Sequence, residues 1–186
     1  MNEQDSIHNR KSIRLNEYDY SRPGAYFITI CTFGRKSIFG NIVNGEMVLN
    51  QSGRIVLECW KEMGNHFSNI EIDYYILMPN HLHGIIFINS DNKGLMNQTP
   101  THHSNGWIMM KNSQLALGKI DHYFKARTSR LLREAGLRNF KWQRLYNDHI
   151  IRNNRSLDKI RQYIIYNPIK WELDKDNPQN WQGKLM

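Results

Sequence analysis

Residues 69–88 read NIEIDYYILMPNHLHGIIFI, two apolar runs separated by a Pro-Asn pair. Ile70, Ile72, Tyr74, Ile76 and Met78 recur at every second position, the period of a strand, and this places them on one face. Pro79-Asn80 is a turn signal. HLHGIIFI then reads as the returning strand of an antiparallel pair. In it, His81 and His83 lie two positions apart, so both imidazoles point to one side of the sheet while Leu82 points to the other.

Outward from this pair, AYFITICTF (25–33) alternates as a strand, with Tyr26, Ile28, Ile30 and Thr32 opposite Phe27, Thr29, Cys31 and Phe33. NGEMVLN (44–50) is predicted as a short strand behind an Asn-Gly turn. From Gly53 to Phe67 the apolar spacing becomes helical. A helix from Ser113 to Ala135 carries Leu117, Ile120, Phe124, Thr128 and Leu131 on one face and stops at Gly136. Residues 141–151 read as a strand or as irregular chain. Residues 156–168 read as a short helix capped by Ser156 and ended by Pro168. Residues 89–112 are polar and aperiodic, and a loop of that length is either functional or disordered; His102 and His103 within it read as solvated. The order predicts an α+β fold, a small antiparallel sheet with helices packed on it. The division is a polar arm at 1–20, one domain at 21–171 containing the flexible 89–112 loop, and a C-terminal tail at 172–186.

The 186 residues carry a net charge of +8 and a pI near 9.5, enough to attract a polyanion. The charge concentrates between 119 and 170, so the C-terminal half is the expected DNA-facing half. Lys119, Tyr123, Arg130 and Arg133 fall on the outer face of the 113–135 helix, either an ordinary solvated face or a track for phosphates. Cys31 and Cys59 sit in apolar-patterned segments and read as buried free thiols, not a disulfide framework. The segment MNEQDSIHNRKSIRL lacks the apolar core of a secretory signal, and no apolar run approaches the ~18 residues of a membrane span. The reading is of a soluble intracellular protein.

Two histidines converging from a rigid strand can hold a divalent metal, although H-x-H alone also arises as two satisfied histidines. In the last helix Tyr163 and Asn167 are four residues apart and share a face beside the apolar stripe of Leu157, Ile160 and Ile164. Tyr166 falls roughly opposite that stripe. A tyrosine in such a position packs more often than it reacts.

LMPNHLHGII (77–86), LGKIDHYFKARTSRLL (117–132), WQRLYNDHIIRN (142–153) and IRQYIIYNPIKW (160–171) occur here in that order. In combination they resemble the single-tyrosine HUH transposases of insertion sequences, most of all the REP-associated tyrosine transposases, over about Tyr26 to Trp171. The resemblance implies a ferredoxin-like, RRM-like HUH fold. It implies metal ligation by His81, His83 and Asn167, with Mg²⁺ or Mn²⁺ as the cofactor, and Tyr163 as the nucleophile on a DNA phosphate. It further implies single-stranded, hairpin-forming DNA as partner, a monomer or homodimer, and a bacterial cytoplasmic, nucleoid-associated location. DNA contacts are expected from Lys119, Tyr123, Lys125, Arg127, Arg130, Arg133, Trp142, Arg144, His149 and Arg152. For Trp142, core packing and base stacking stay equally open. For His149, a place behind the ligands, a packing role and a phosphate contact all stay open. Two rivals remain: a non-catalytic hairpin-binding protein derived from a transposase, and a hydrolase that activates water and leaves Tyr163 structural.

Overall fold

The structure is a computed structural model describing residues 19, 22–89, 117–174 and 176–181. The N-terminal arm apart from Asp19, most of the 89–112 loop with His102 and His103, and residues 113–116 of the predicted helix lie outside the described residues.

Among the described residues, β1 (Gly24–Cys31), β4 (Ile70–Leu77), β5 (His81–Ile88) and β6 (Asn147–Ile151) form one antiparallel sheet in the order β4-β5-β1-β6. A separate hairpin pairs β2 (Gly40–Val43) with β3 (Glu46–Leu49). Its turn places Asn44 and Gly45 at φ 52° and 78°, the left-handed conformations that favour an Asn-Gly pair. The strand at 44–50 is thus present. Its partner β2 lacked a clear alternation and was not anticipated.

Helices cover both faces of the sheet, and the fold is α+β as expected. On one face α1 (Gln51–Lys61), the single turn α2 (Met63–His66) and α3 (Leu117–Glu134) enclose the main core. This core is built on Tyr26, Ile28, Ile30, Leu82, Ile86, Trp60 and Phe124. The helix predicted over 53–67 is divided at Glu62, between α1 and α2. Gly84 is required beneath Trp60, since a Cβ there would lie 2.3 Å from the indole Cζ2. On the other face α4 (Asn154–Tyr166) covers a smaller cluster of Ala25, Ile85, Ile151 and Ile164. Alternation along β1 and β5 therefore sends even-numbered residues to the main core and odd-numbered ones, His81 and His83 among them, toward α4.

Two local expectations are corrected. Ile70 through Met78 do not share one face, because the β4–β5 register shifts between Ile72 and Tyr75. This bulge puts Ile72, Tyr75 and Leu77 against the main core and Ile76 against the α4 cluster. Asp73, inside the bulge, takes Arg161 of α4 in an ion pair at 2.8 Å, which ties the helix to the sheet. The cap of α4 is Asn153, not Ser156: its Oδ1 accepts from Ser156 N at 2.8 Å, so the helix begins earlier than predicted. Cys31 and Cys59 are both buried free thiols. Burial pushes the Cys59 thiol pKa up and so favours the protonated thiol, an effect that Arg127 partly offsets.

Candidate active site

The site begins at the turn between β4 and β5. Ile38 N and Phe39 N both donate to Pro79 O, Thr32 N donates to Asn80 O, and Met78 N donates to His81 O. Four backbone bonds at 2.8–3.0 Å hold three residues, so the first residue of β5 leaves a rigid support. His81 and His83 are 0% and 3% exposed. Their Nε2 atoms face each other at 3.0 Å. Behind them, His81 Nδ1 lies 2.8 Å from Asn80 Oδ1 and His83 Nδ1 lies 2.9 Å from Thr29 Oγ1. Trp171 tilts over His81, and Phe27 stacks on His83 at 5.3 Å.

Helix α4 brings Tyr163 to this pair. Its hydroxyl is 3.3 Å from His83 Nε2, and its ring meets Phe27 edge-on at 6.0 Å. The side chain is 41% exposed, packed on one flank and open to solvent on the other. Burial raises the phenol pKa above the ordinary 10.0 and the Asp174 carboxylate raises it further, while a hydrogen bond from Asn167 lowers it. Tyr166 is exposed and has no contact with either histidine among those the structure shows.

Asn167 caps α4 and is 2% exposed. Its Nδ2 donates to Asp174 Oδ2 at 3.2 Å. A carboxylate only accepts, so the amide nitrogen must face Asp174, and Oδ1 points elsewhere. That Oδ1 is buried and has no hydrogen-bond partner among the described residues. An unpartnered buried carbonyl oxygen costs about 1–3 kcal/mol unless something satisfies it.

The donor set fits a divalent cation. One nitrogen, one carboxylate oxygen or the equivalent from each of His81, His83 and Asp174 all lie within 4.8 Å of one another. Adjacent donors of an octahedral ion with bonds near 2.1 Å are separated by about 3.0 Å, the spacing of the two imidazole nitrogens. Asp174 escaped the sequence reading because it falls in the segment set apart as a tail. That segment returns across the site in two 3-10 turns, Trp171–Leu173 and Pro178–Trp181. Asp176 pairs with Arg35 and accepts from Asn80. The only local sign was an acidic residue about two turns past a capped helix, which is too common to single out.

Tyr163 and His83 line an open cleft of about 1330 Å³ with Phe27, Arg35, Asn147, His149, Lys159 and Glu172. Of the residues expected to meet DNA, His149 lies in this cleft. Those on α3 lie on the opposite side of the sheet from Tyr163. There Lys125 pairs with Asp121, Arg127 with Glu62 and Arg130 with Glu134. Lys119, Arg133, Arg144 and Arg152 are exposed, and Tyr123 is half-buried, stacked on His66 at 3.9 Å. Trp142 is buried and its Nε1 donates to Thr128 Oγ1, which commits it to the core. Lys159, not singled out beforehand, sits one turn before Tyr163 and was legible from that spacing.

The fold is similar to that of one solved tyrosine transposase. A solved REP-associated tyrosine transposase bound to a REP hairpin superposes with a TM-score of 0.57, at 17% identity, over 87% of this chain and 76% of that one. No family model matches the chain. An uncharacterised protein of Haemophilus influenzae (strain Rd) is 41% identical over 169 residues, covering 91% of this chain and 93% of its own length. The chain belongs to the family of that Haemophilus protein.

Proposed function

We propose that this chain is a metal-dependent, single-tyrosine DNA strand transferase that nicks single-stranded, hairpin-forming DNA and holds the 5′ end on Tyr163. The observation that carries this reading is the placement of the Tyr163 hydroxyl 3.3 Å from His83 Nε2, beside two facing imidazoles and a buried, unpartnered amide oxygen. His81, His83 and Asn167, with Asp174 in reach, would hold Mg²⁺ or Mn²⁺. Bound there, such an ion would supply positive charge that stabilises the negative charge developing on the phosphate.

The protein's own groups account for the rest. A phenol held above its ordinary pKa is a weak nucleophile at neutral pH, so the attack depends on charge brought to the site. Asn167 hydrogen-bonds the phenol and favours its ionised form. The phenolic proton leaves to solvent on the exposed flank of the ring. The Tyr163 oxygen then bonds to phosphorus as the bond to the 3′ oxygen breaks, and the departing oxygen takes a proton from solvent. The products are a 5′-phosphotyrosine and a free 3′-OH. Attack by a 3′-OH on the phosphotyrosine rejoins DNA without a nucleotide cofactor, because one phosphodiester is exchanged for another. The open cleft and the net charge of +8 suit a polyanionic strand.

The test is incubation with end-labelled single-stranded hairpin DNA and Mn²⁺, followed by denaturing electrophoresis and peptide mapping. A covalent adduct mapping to Tyr163, absent in Tyr163→Phe and retained in Tyr166→Phe, is expected. Strand cleavage without any adduct would assign the site to a water-activating hydrolase. Binding without cleavage would make the chain a hairpin-binding protein.

A further inference from the structure

Asn80 is fully buried, with 0% exposure, and stands behind the cleft rather than among the residues that line it. Its amide nitrogen donates to two backbone carbonyls, Arg35 O at 2.9 Å and Asp176 O at 2.7 Å. Carbonyl oxygens only accept, so these bonds fix which end of the amide is nitrogen. The other end, Oδ1, lies 2.8 Å from His81 Nδ1 and likewise only accepts. Nδ1 must therefore carry the ring proton. A neutral imidazole has one such proton, so His81 Nε2, the atom facing His83, presents a lone pair. The partner of His83 differs: Thr29 Oγ1 is a hydroxyl, which donates or accepts by rotation and fixes neither tautomer.

Resting on the metal reading of the site, we propose that Asn80 is a positioning residue that locks His81 in the Nδ1–H tautomer and so makes its Nε2 a permanent ligand atom. His83, backed by a hydroxyl, adopts whichever tautomer its surroundings require. The same amide ties three segments together, the turn before β5, the chain at Arg35 and the C-terminal return at Asp176. It thereby also holds in place the stretch that carries Asp174. Groups behind a metal ligand typically change metal affinity 10- to 100-fold when lost.

The experiment uses the full chain, metal-free, with ¹⁵N-labelled histidine at pH 8, where imidazole is neutral. A long-range ¹⁵N–¹H spectrum reports which ring nitrogen of His81 carries the proton, with its signals assigned by their loss in His81→Gln. Wild type should show Nδ1–H. Asn80→Asp keeps an acceptor facing Nδ1 and should retain that pattern, while losing the donations to Arg35 O and Asp176 O that hold the stretch carrying Asp174, so its Mn²⁺ affinity should fall even though the tautomer is kept. Asn80→Leu should lose the pattern and bind Mn²⁺ at least tenfold more weakly. A wild-type His81 protonated at Nε2, or an Asn80→Leu protein with unchanged tautomer and affinity, would overturn the proposal. If Asn80→Leu does not fold, the wild-type and Asn80→Asp spectra decide: loss of the Nδ1–H pattern in Asn80→Asp counts against it. Should wild type show Nδ1–H yet bind no Mn²⁺, the metal reading fails while the role of Asn80 in setting the tautomer stands.

Discussion

Replacing Asn167 with leucine, close to it in volume, should change stability little in the absence of metal and lower it in the presence of metal. Without metal the substitution removes the Nδ2 bond to Asp174, worth about 1.5–3 kcal/mol as a hydrogen bond to a charged group. It also removes the buried Oδ1 that has no partner, relieving a penalty of about 1–3 kcal/mol. The two nearly cancel, and the metal-free variant should unfold within about 1 kcal/mol of wild type, although Asn167 is only 2% exposed. With Mn²⁺ at a hundred times the dissociation constant, wild type gains about 2.7 kcal/mol. For a chain of this size that raises Tm by roughly 5–11 °C. If losing the Asn167 oxygen weakens binding tenfold, the variant at the same Mn²⁺ concentration gains only about 1.4 kcal/mol. Thermal melts followed by circular dichroism across a Mn²⁺ titration give both numbers from one preparation. An Asn167→Leu protein that gains as much from Mn²⁺ as wild type would refute the assignment of Oδ1 to a metal. One destabilised by 3 kcal/mol or more without metal would show that the oxygen has a partner after all.

Other outcomes are expected. Gly84→Ala sets a Cβ 2.3 Å from the fully buried Trp60 ring and should cost about 1–3 kcal/mol; an unchanged urea midpoint would mean that Trp60 does not rest on β5. The raised pKa of Tyr163 favours its neutral form in the folded protein. Its contribution to stability is thus complete below the unfolded tyrosine value of about 10 and is lost as pH rises from there through the folded value. Metal-free Tyr163→Phe should therefore lose less stability than wild type above pH 10, and identical pH–stability curves would contradict this. Lys159 lines the cleft with Tyr163, so Lys159→Glu should reduce the salt dependence of hairpin binding by about 0.7 in log–log slope. Joint reversal of Lys119 and Arg130 on the far side of the sheet should leave it unchanged, and the reverse result in a filter-binding series would move the DNA track to α3.

Local periodicity alone determined a good deal about this protein. Alternation at 69–88 specified the β4–β5 pair and the turn between them, and it set His81 and His83 on the side opposite Leu82. The four-residue spacing on α4 put Tyr163 beside Asn167 and turned Tyr166 away. Such relations follow from the rise and twist of a single element, and the residues that set them are adjacent in the chain. The bulge at Asp73 was hidden because a register shift arises from pairing with another strand, and the apolar run through it continued unbroken. The cap at Asn153 was missed because Asn153 and Ser156 are both good capping residues three positions apart.

What only the tertiary structure decided depends on long separations. The Tyr163–His83 contact spans 80 residues and the Asn80–Asp176 bond spans 96. No local pattern encodes a meeting of that kind. The basic stripe of α3 was equally visible as charge in the sequence, but packing placed it across the sheet from the tyrosine, with several of its cations engaged by carboxylates. Asp174 joined the site because the chain turns back after α4, held there by Asn80 and Arg35. The side-chain types of the site were thus written in the sequence, whereas the approach of the two imidazoles to 3.0 Å, and the ring nitrogen that His81 turns toward His83, are consequences of burial and of hydrogen bonds that only the folded chain can make.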